Sequence, residues 1–490
     1  MLSHRHPSQR VSPALSEPAV RGVIDAIGGP IGRHGLVGRA RWWTPLRVLI
    51  LLALIFLSLA YAQKAACLGG VVGSDGTVGL NWAGNRQYTA ACYSDLIPLY
   101  DGRGMSRNAF PYAYSWRDNG QTRYMEYPVL AGLFQGLMGL IANATYPLAR
   151  AVVAVLPASS WYFTVTAAVM GVLWLVVVRL VAELTGNRVW DTVLVAASPL
   201  FIVHAFTNWD IPAVAFAVGA MAAVAHRRPG LAGVLIGLGT AFKLWPLFLL
   251  GAYLVLAARS RHWQPWLRML ATAVASWVIV NLPIIVAYPR AWAEFTRLNS
   301  ERGWEWTTIW AVLSRRLGWA GFDAPGAVPE ILNAVTFSLF AAACLAIAVL
   351  GMRARRRPRV AELVALIIIA FLLVNKVWSP QYSLWLLVPA VLALPHWRLI
   401  IWWGVADMCL WPILMWHMMG ADNHGAPGWL LDVAIAGRDG CIVAIGVLIL
   451  AQMVGRRRDP VRDAHHGLDP LAGPFGQRDG WVWRRRERYP

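Results

Sequence analysis

The sequence predicts an all-α polytopic membrane protein, and three observations carry that prediction. Of its 490 residues, 58% are hydrophobic and only 14% are charged, where a soluble globular chain holds roughly a quarter charged residues. The apolar residues fall in long blocks parted by short polar connectors, as helices matched to a bilayer core of about 30 Å require. The arginines avoid those blocks and crowd both ends and the connectors, as in R-A-R-R-R-P-R from Arg353 to Arg359, Arg227 with Arg228, and Arg456 to Arg458. Connectors of that kind stay in the cytoplasm and orient the helices, with anionic membrane lipid as a further contact. The net charge of +19 is thereby accounted for, and no nucleic-acid partner is expected.

Residues 1–45 show no apolar period and read as a disordered basic cytoplasmic tail. The first span is 46–62. Its Ala60 to Ala62 resembles a cleavage site, but the tail ahead of it is too long for a signal peptide, so an uncleaved anchor is expected. A polar loop, 63–128, follows. With arginine-rich connectors inside, 160–181 runs inward, 189–206 outward, 209–225 inward and 266–288 outward. Then 330–352 runs in, 360–375 out, 380–394 in, 399–416 out and 429–454 in. The blocks 129–157 and 231–256 must each return to the side they start from. Each reads as a pair of short helices or a re-entrant hairpin, tolerated in a membrane only when buried in protein or lining a cavity.

The result is a membrane domain of about 10–14 transmembrane helices over 46–454. Its second large loop, 289–329, carries Trp304, Trp306 and Trp310, which suit an amphipathic helix at the interface. Residues 455–490 read as a second basic cytoplasmic tail. Both termini are therefore expected in the cytoplasm, the two large loops outside it, and the chain in the plasma membrane as a multi-pass monomer. Cys67 and Cys92 share the first loop and could pair there if it is extracytoplasmic. No cysteine pair has metal-site spacing.

The unusual polar residues return to the face of the first loop. That loop carries Asp95, Asp101, Glu126 and the arginines Arg103, Arg107, Arg117 and Arg123. H-A-F-T-N-W-D (204–210), A-F-K-L-W-P (241–246), V-N-K-V-W-S-P-Q-Y-S (374–383) and the group His417, Asp422, His424 all fall at turns on that side. Ionisable groups at membrane depth are costly unless paired or functional. One such island alone reads as an interfacial group satisfied by water; four of them facing a charged loop read as a site.

The chain has only three lysines, and two of them, Lys243 and Lys376, with Arg103 beside them, suit a phosphate headgroup arriving from the lipid phase. The bland reading of either lysine is snorkelling to the interface. Tryptophans such as Trp378 would stack on a sugar ring, while Asp95, Asp210 and Glu126 would take a proton or bind hydroxyls. These parts describe transfer from a lipid-phosphate donor to a hydroxyl acceptor, with a carboxylate as general base and cations on the leaving phosphate.

Five motifs, in order, carry a resemblance: Y-S-D-L-I-P-L-Y (93–100), E-Y-P-V-L (126–130), N-W-D (208–210), K-L-W-P (243–246) and K-V-W-S-P-Q-Y (376–382). From about residue 45 to 454 the chain is similar to the actinobacterial polyprenyl-phosphate-mannose-dependent mannosyltransferases, glycosyltransferase family 87, within the GT-C fold class. The resemblance implies a GT-C bundle, an extracytoplasmic site, a polyprenyl-phosphate sugar donor, usually mannose, and a glycan or glycolipid acceptor of the cell envelope. It implies Asp95 as the base, against a helix-cap or turn role. Asp101 reads first as a turn residue. Glu126, beside Tyr127, binds acceptor or pairs with an arginine; Asn208 and Asp210 bind sugar or close their turn; Lys243 and Lys376 take the donor phosphate; Gln381 and Tyr382 line the pocket. Arg438 and Asp439 read as a packing pair. Many GT-C enzymes use a metal held by paired acids, but here Asp95 and Asp101 have five residues between them, so no cofactor or metal is assigned. A carrier or flippase of a lipid-linked sugar or a small anion would explain the helices equally well, and would call for inverted repeats and polar groups at the midplane; a non-catalytic envelope scaffold has no specific support.

Overall fold

The computed structural model describes residues 43–476; the proposed N-terminal tail lies almost wholly outside them. Helix α1 (Pro45–Ala65) begins where the Thr44 side chain accepts from Arg47 N and proline takes the first helical position, since neither the capped nor the proline nitrogen needs a helical partner. The first loop holds two short antiparallel hairpins, β1 (Gly70–Val72) with β2 (Val78–Leu80) and β3 (Trp116–Asp118) with β4 (Gln121–Arg123). Cys67 and Cys92 are joined in a disulfide that ties the end of α1 to the loop.

Helix α2 (Val129–Val152) corrects the expectation for 129–157. It is one continuous helix with Pro147 inside it, neither a helix pair nor a hairpin. It still returns to its own side, because it lies along the first loop. Gly132, Gly136 and Gly139 sit against Tyr112, Pro111 and Met105, and Asn143 donates to Met105 O at 2.8 Å and Asn108 Oδ1 at 2.6 Å. Just beyond its end, Val155 and Pro157 meet Gly70. A 24-residue helix is about 36 Å long, so a crossing helix would have left the loop far behind.

Helix α3 (Ala158–Leu184) then runs antiparallel to α1, Tyr61 meeting Thr164 at 2.8 Å near the loop and Leu57 meeting Gly171 deeper in. The span expected at 189–206 is broken. A 3-10 turn, Val193–Ala196 and Pro199–His204 follow one another, because Pro199 cannot continue a helix through Ser198. Helices α4 (Ile211–Ala225), α5 (Pro229–Phe242), α6 (Phe248–Ser260) and α7 (Trp263–Ala287) come next. The break foreseen in 231–256 falls at Lys243, whose backbone is extended (φ −149°, ψ 143°). Gly233 and Gly237 press α5 onto α7 so closely that a methyl group at either would collide with the Met269 or Ala273 carbonyl.

In the second large loop, α8 (Pro289–Glu301) and a short helix, Ile309–Leu317, replace the single amphipathic helix expected there. The bundle closes with α9 (Glu330–Arg353), α10 (Val360–Val374), α11 (Ser383–Ala393), α12 (Trp397–His417) and α13 (Gly428–Met453). Every residue of α10 from Val360 to Ile369 is buried, as suits a helix apolar all round. Among the described residues, seven helices are long and apolar enough to cross a bilayer, α2 being the least apolar of them.

The arginine-rich connectors gather at the end opposite the first loop. There the start of the supposed C-terminal tail folds back rather than dangling. Fully buried Arg359 bonds Asp459 at 2.6 Å and the Leu392 carbonyl at 2.9 Å. Asp469 accepts from Val360 N at 2.9 Å, and Leu471 and Phe475 enter the core.

Candidate functional site

The site forms where the first loop meets the broken 204–210 segment and the α5–α6 break. Asp95 is tied down by its own backbone, its N–H donating to Thr207 O at 2.8 Å, while the neighbouring Ser94 hydroxyl donates to Phe206 O at 2.6 Å. The half-buried carboxylate accepts from the Tyr93 hydroxyl at 2.7 Å and from Asn208 Nδ2 at 2.6 Å. Asn208 is the hub. Its Nδ2 also donates to the Tyr127 hydroxyl at 2.8 Å, and its Oδ1 accepts from Lys243 Nζ at 3.1 Å. Lys243 lies 3.6 Å from Asp210 Oδ1 and 5.2 Å from the centre of the Tyr127 ring. Asp210, fully buried, accepts from Trp385 Nε1 at 2.8 Å. The Tyr382 ring stacks on Trp385 at 3.8 Å.

The electrostatics fit that order. The charge of Asp95 first, and burial second, push ionisation of the Tyr93 hydroxyl upward, so Tyr93 keeps its proton and donates it. Burial, then Asp95, do the same to Tyr127. Two donors on Asp95 leave further lone pairs on its oxygens, enough to receive a substrate hydroxyl, and Lys243 is a cation within one residue's reach of that carboxylate.

The structure thus joins Asp95, Tyr127, Asn208, Asp210, Lys243 and Tyr382. Other predicted residues go elsewhere. Glu126 is gripped by Arg103, with Nε at 2.8 and 3.0 Å and Nη2 at 2.6 Å, and Arg103 stacks over Trp116 at 3.9 Å; this is the pairing alternative. Asp101 stands exposed on the short helix Pro98–Gly102. Lys376 donates to the carbonyls of Ser300 and Arg302, capping the end of α8. Buried Trp378 lies under the Arg438 guanidinium at 3.5 Å, and Arg438 pairs with Asp439 at 2.9 Å. Gln381 is buried beside Tyr382. His204 turns from the loop toward Asp407, 3.5 Å away.

Three residues escaped the sequence reading. Tyr93 sits two positions from Asp95, a spacing that could have marked it. Lys64, fully buried in the last turn of α1, donates to Tyr93 O at 2.9 Å behind the carboxylate; as the third of three lysines it carried a signal too. Glu305 arrives from the second loop, and only the tertiary fold brings it near.

A polytopic helical membrane protein with a charged, hydrogen-bonded site at one end of its bundle is the class that fold and site define. The family model described as Glycosyltransferase family 87 matches residues 127–380, just over half of the chain. The chain belongs to glycosyltransferase family 87 and is a membrane glycosyltransferase. The match takes in Tyr127, Asn208, Asp210, Lys243 and Lys376 and begins after Asp95. Among solved structures, the chain is similar to ArnT from Cupriavidus metallidurans in the apo state, at 15% identity and a TM-score of 0.41, over 84% of this chain and 78% of that one. No curated protein matches the chain.

Proposed function

We propose that this glycosyltransferase moves a sugar, mannose in the first instance, from a polyprenyl-phosphate donor to a hydroxyl of a cell-envelope glycan or glycolipid. One observation carries the reading: the loop carboxylate of Asp95 is held by Tyr93 and Asn208, and Asn208 also holds Lys243. Base and cation are thus fixed relative to each other. Asp95 takes the proton of the acceptor hydroxyl as its oxygen attacks the anomeric carbon. The bond from that carbon to the phosphate oxygen breaks, and polyprenyl phosphate leaves with the electron pair, its charge balanced by Lys243. From a β-linked donor this single displacement gives an α-linked product.

A GT-C bundle in the plasma membrane, with both termini cytoplasmic and the site outside, agrees with the arginine-rich connectors gathering at the end opposite the first loop. The reading needs no metal, since the paired acids that would hold one are missing from the first loop. Purified protein in nanodiscs, given radiolabelled polyprenyl-phosphate mannose and a bacterial membrane lipid extract, should move label into a glycan or glycolipid product. Label entering product only from a polyprenyl-phosphate arabinose would replace mannose. Tight donor binding with no transfer from any sugar-lipid would point to a carrier.

A further inference from the structure

The second loop brings an acid to the site that no motif announces. Its segment 302–308, R-G-W-E-W-T-T, is laid against the turn between α10 and α11. Glu305 N–H donates to Lys376 O at 2.9 Å, Thr307 Oγ1 to Trp378 O at 2.7 Å, and Trp310 Nε1 to Val374 O at 3.1 Å. From the other side, Arg438 Nη2 donates to Thr307 O at 2.7 Å. The loop is therefore held by several contacts besides those of the Glu305 carboxylate.

That carboxylate is placed all the same. Both oxygens lie 3.2 Å from Ser379 Oγ, and Oε1 lies 3.3 Å from Arg302. Ser379 directly precedes the Pro380–Tyr382 turn, whose Tyr382 ring packs on Trp385, the indole bound to Asp210. The second loop thus reaches the Asp95 cluster from the far side. Burial raises the proton affinity of Glu305, Arg302, Ser379 and the Trp378 backbone oppose it, and the charge of Asp95 adds to it. With its side chain 21% exposed, Glu305 can still be reached by a substrate.

We infer that Glu305 is an acceptor-positioning residue: its carboxylate accepts hydroxyls of a sugar-containing acceptor and turns the reacting hydroxyl toward Asp95. This rests on the transferase reading above. A carboxylate is a pure acceptor with room for several hydroxyl donors, and charge-assisted bonds of that kind are short and directional. Asp95 and Glu305, on different loops, would grip different hydroxyls of one polyol, whereas the donor phosphate belongs with Lys243.

The test uses full-length protein in nanodiscs with labelled polyprenyl-phosphate mannose. The acceptor is octyl mannoside or the glycolipid fraction of a bacterial membrane extract, whichever the wild type uses. Glu305→Gln should raise the acceptor KM tenfold or more, leave the donor KM unchanged and lower kcat less than threefold, with Glu305→Asp partly restoring the acceptor KM. Arg302→Gln should move the acid-side loss of acceptor affinity to higher pH, because Arg302 is the cation that holds down the proton affinity of Glu305. That movement is foreign to a residue that only braces the loop. An acceptor KM unchanged in a folded Glu305→Gln protein, or a fall in kcat alone, would overturn the assignment. A wild type that transfers mannose to neither acceptor would overturn the mannosyl-transfer reading above, and with it this inference, which rests on that reading.

Discussion

Asn208 is the side chain on which the chemistry depends at the residue scale, because it touches Asp95, Tyr127 and Lys243 at once. Hydrogen bonds to charged groups contribute about 1.5–3 kcal/mol each. Asn208→Ala should therefore cost roughly 10- to 100-fold in kcat/KM, read by steady-state kinetics, with the protein still folded. A second prediction concerns Lys376. Burial, with Arg302 adding to it, pushes its proton affinity down to about 8 from an ordinary 10.5. A lysine lowered in this way disfavours the folded state below pH 8, and that penalty is relieved as the pH climbs from about 8 to 10.5. Over that window the wild-type melting temperature should rise relative to Lys376→Met; parallel curves would contradict the assignment. Asn208, Asp210 and Lys243 were legible in the sequence because polar groups in apolar surroundings need a reason to be there, and Asp95 was legible through the Y-S-D motif of the charged first loop. The partners chosen by Glu126 and Lys376 were not, since Arg103 and the carbonyls at the end of α8 reach them only in the folded chain.

At the scale of elements, hydrophobic blocks read well and breaks read unevenly. The break at Lys243 was legible from K-L-W-P, where a cation and a proline interrupt an apolar run. The continuity of α2 was not, because a helix lying along a loop and a hairpin leaving it both return a chain to its own side. Only contacts such as Asn143 with Asn108 decide between them. The interruption before Pro199 was lost inside a stretch apolar enough to pass for one span. The α5–α7 contact offers a direct test. Gly237→Val would force a branched side chain into the Ala273 carbonyl, and overpacking of this kind costs roughly 1–3 kcal/mol. A thermal unfolding midpoint lowered by several degrees in detergent is expected, against little change for Gly440→Ala, where space is open.

For the whole molecule, charge placement and fold agree. The arginine-rich connectors lie at the end where residues 459–475 fasten α10 and α11, and the carboxylates and lysines of the site lie at the other. The sequence showed that polarity plainly; it did not show that the C-terminal segment folds back, because Asp459 and Asp469 acquire meaning only against buried Arg359 and the start of α10. With that polarity, the carboxylate proposed as the base of this family 87 membrane glycosyltransferase is Asp95, in the first loop. The measurement that tests it compares wild type with Asp95→Asn for transfer of labelled sugar from polyprenyl-phosphate mannose to acceptor, both proteins monodisperse in nanodiscs. Donor binding within about threefold of wild type and transfer reduced by at least 10²-fold, the scale of general-base catalysis, are expected of Asp95→Asn. Transfer at wild-type rate in Asp95→Asn would contradict Asp95 as the base.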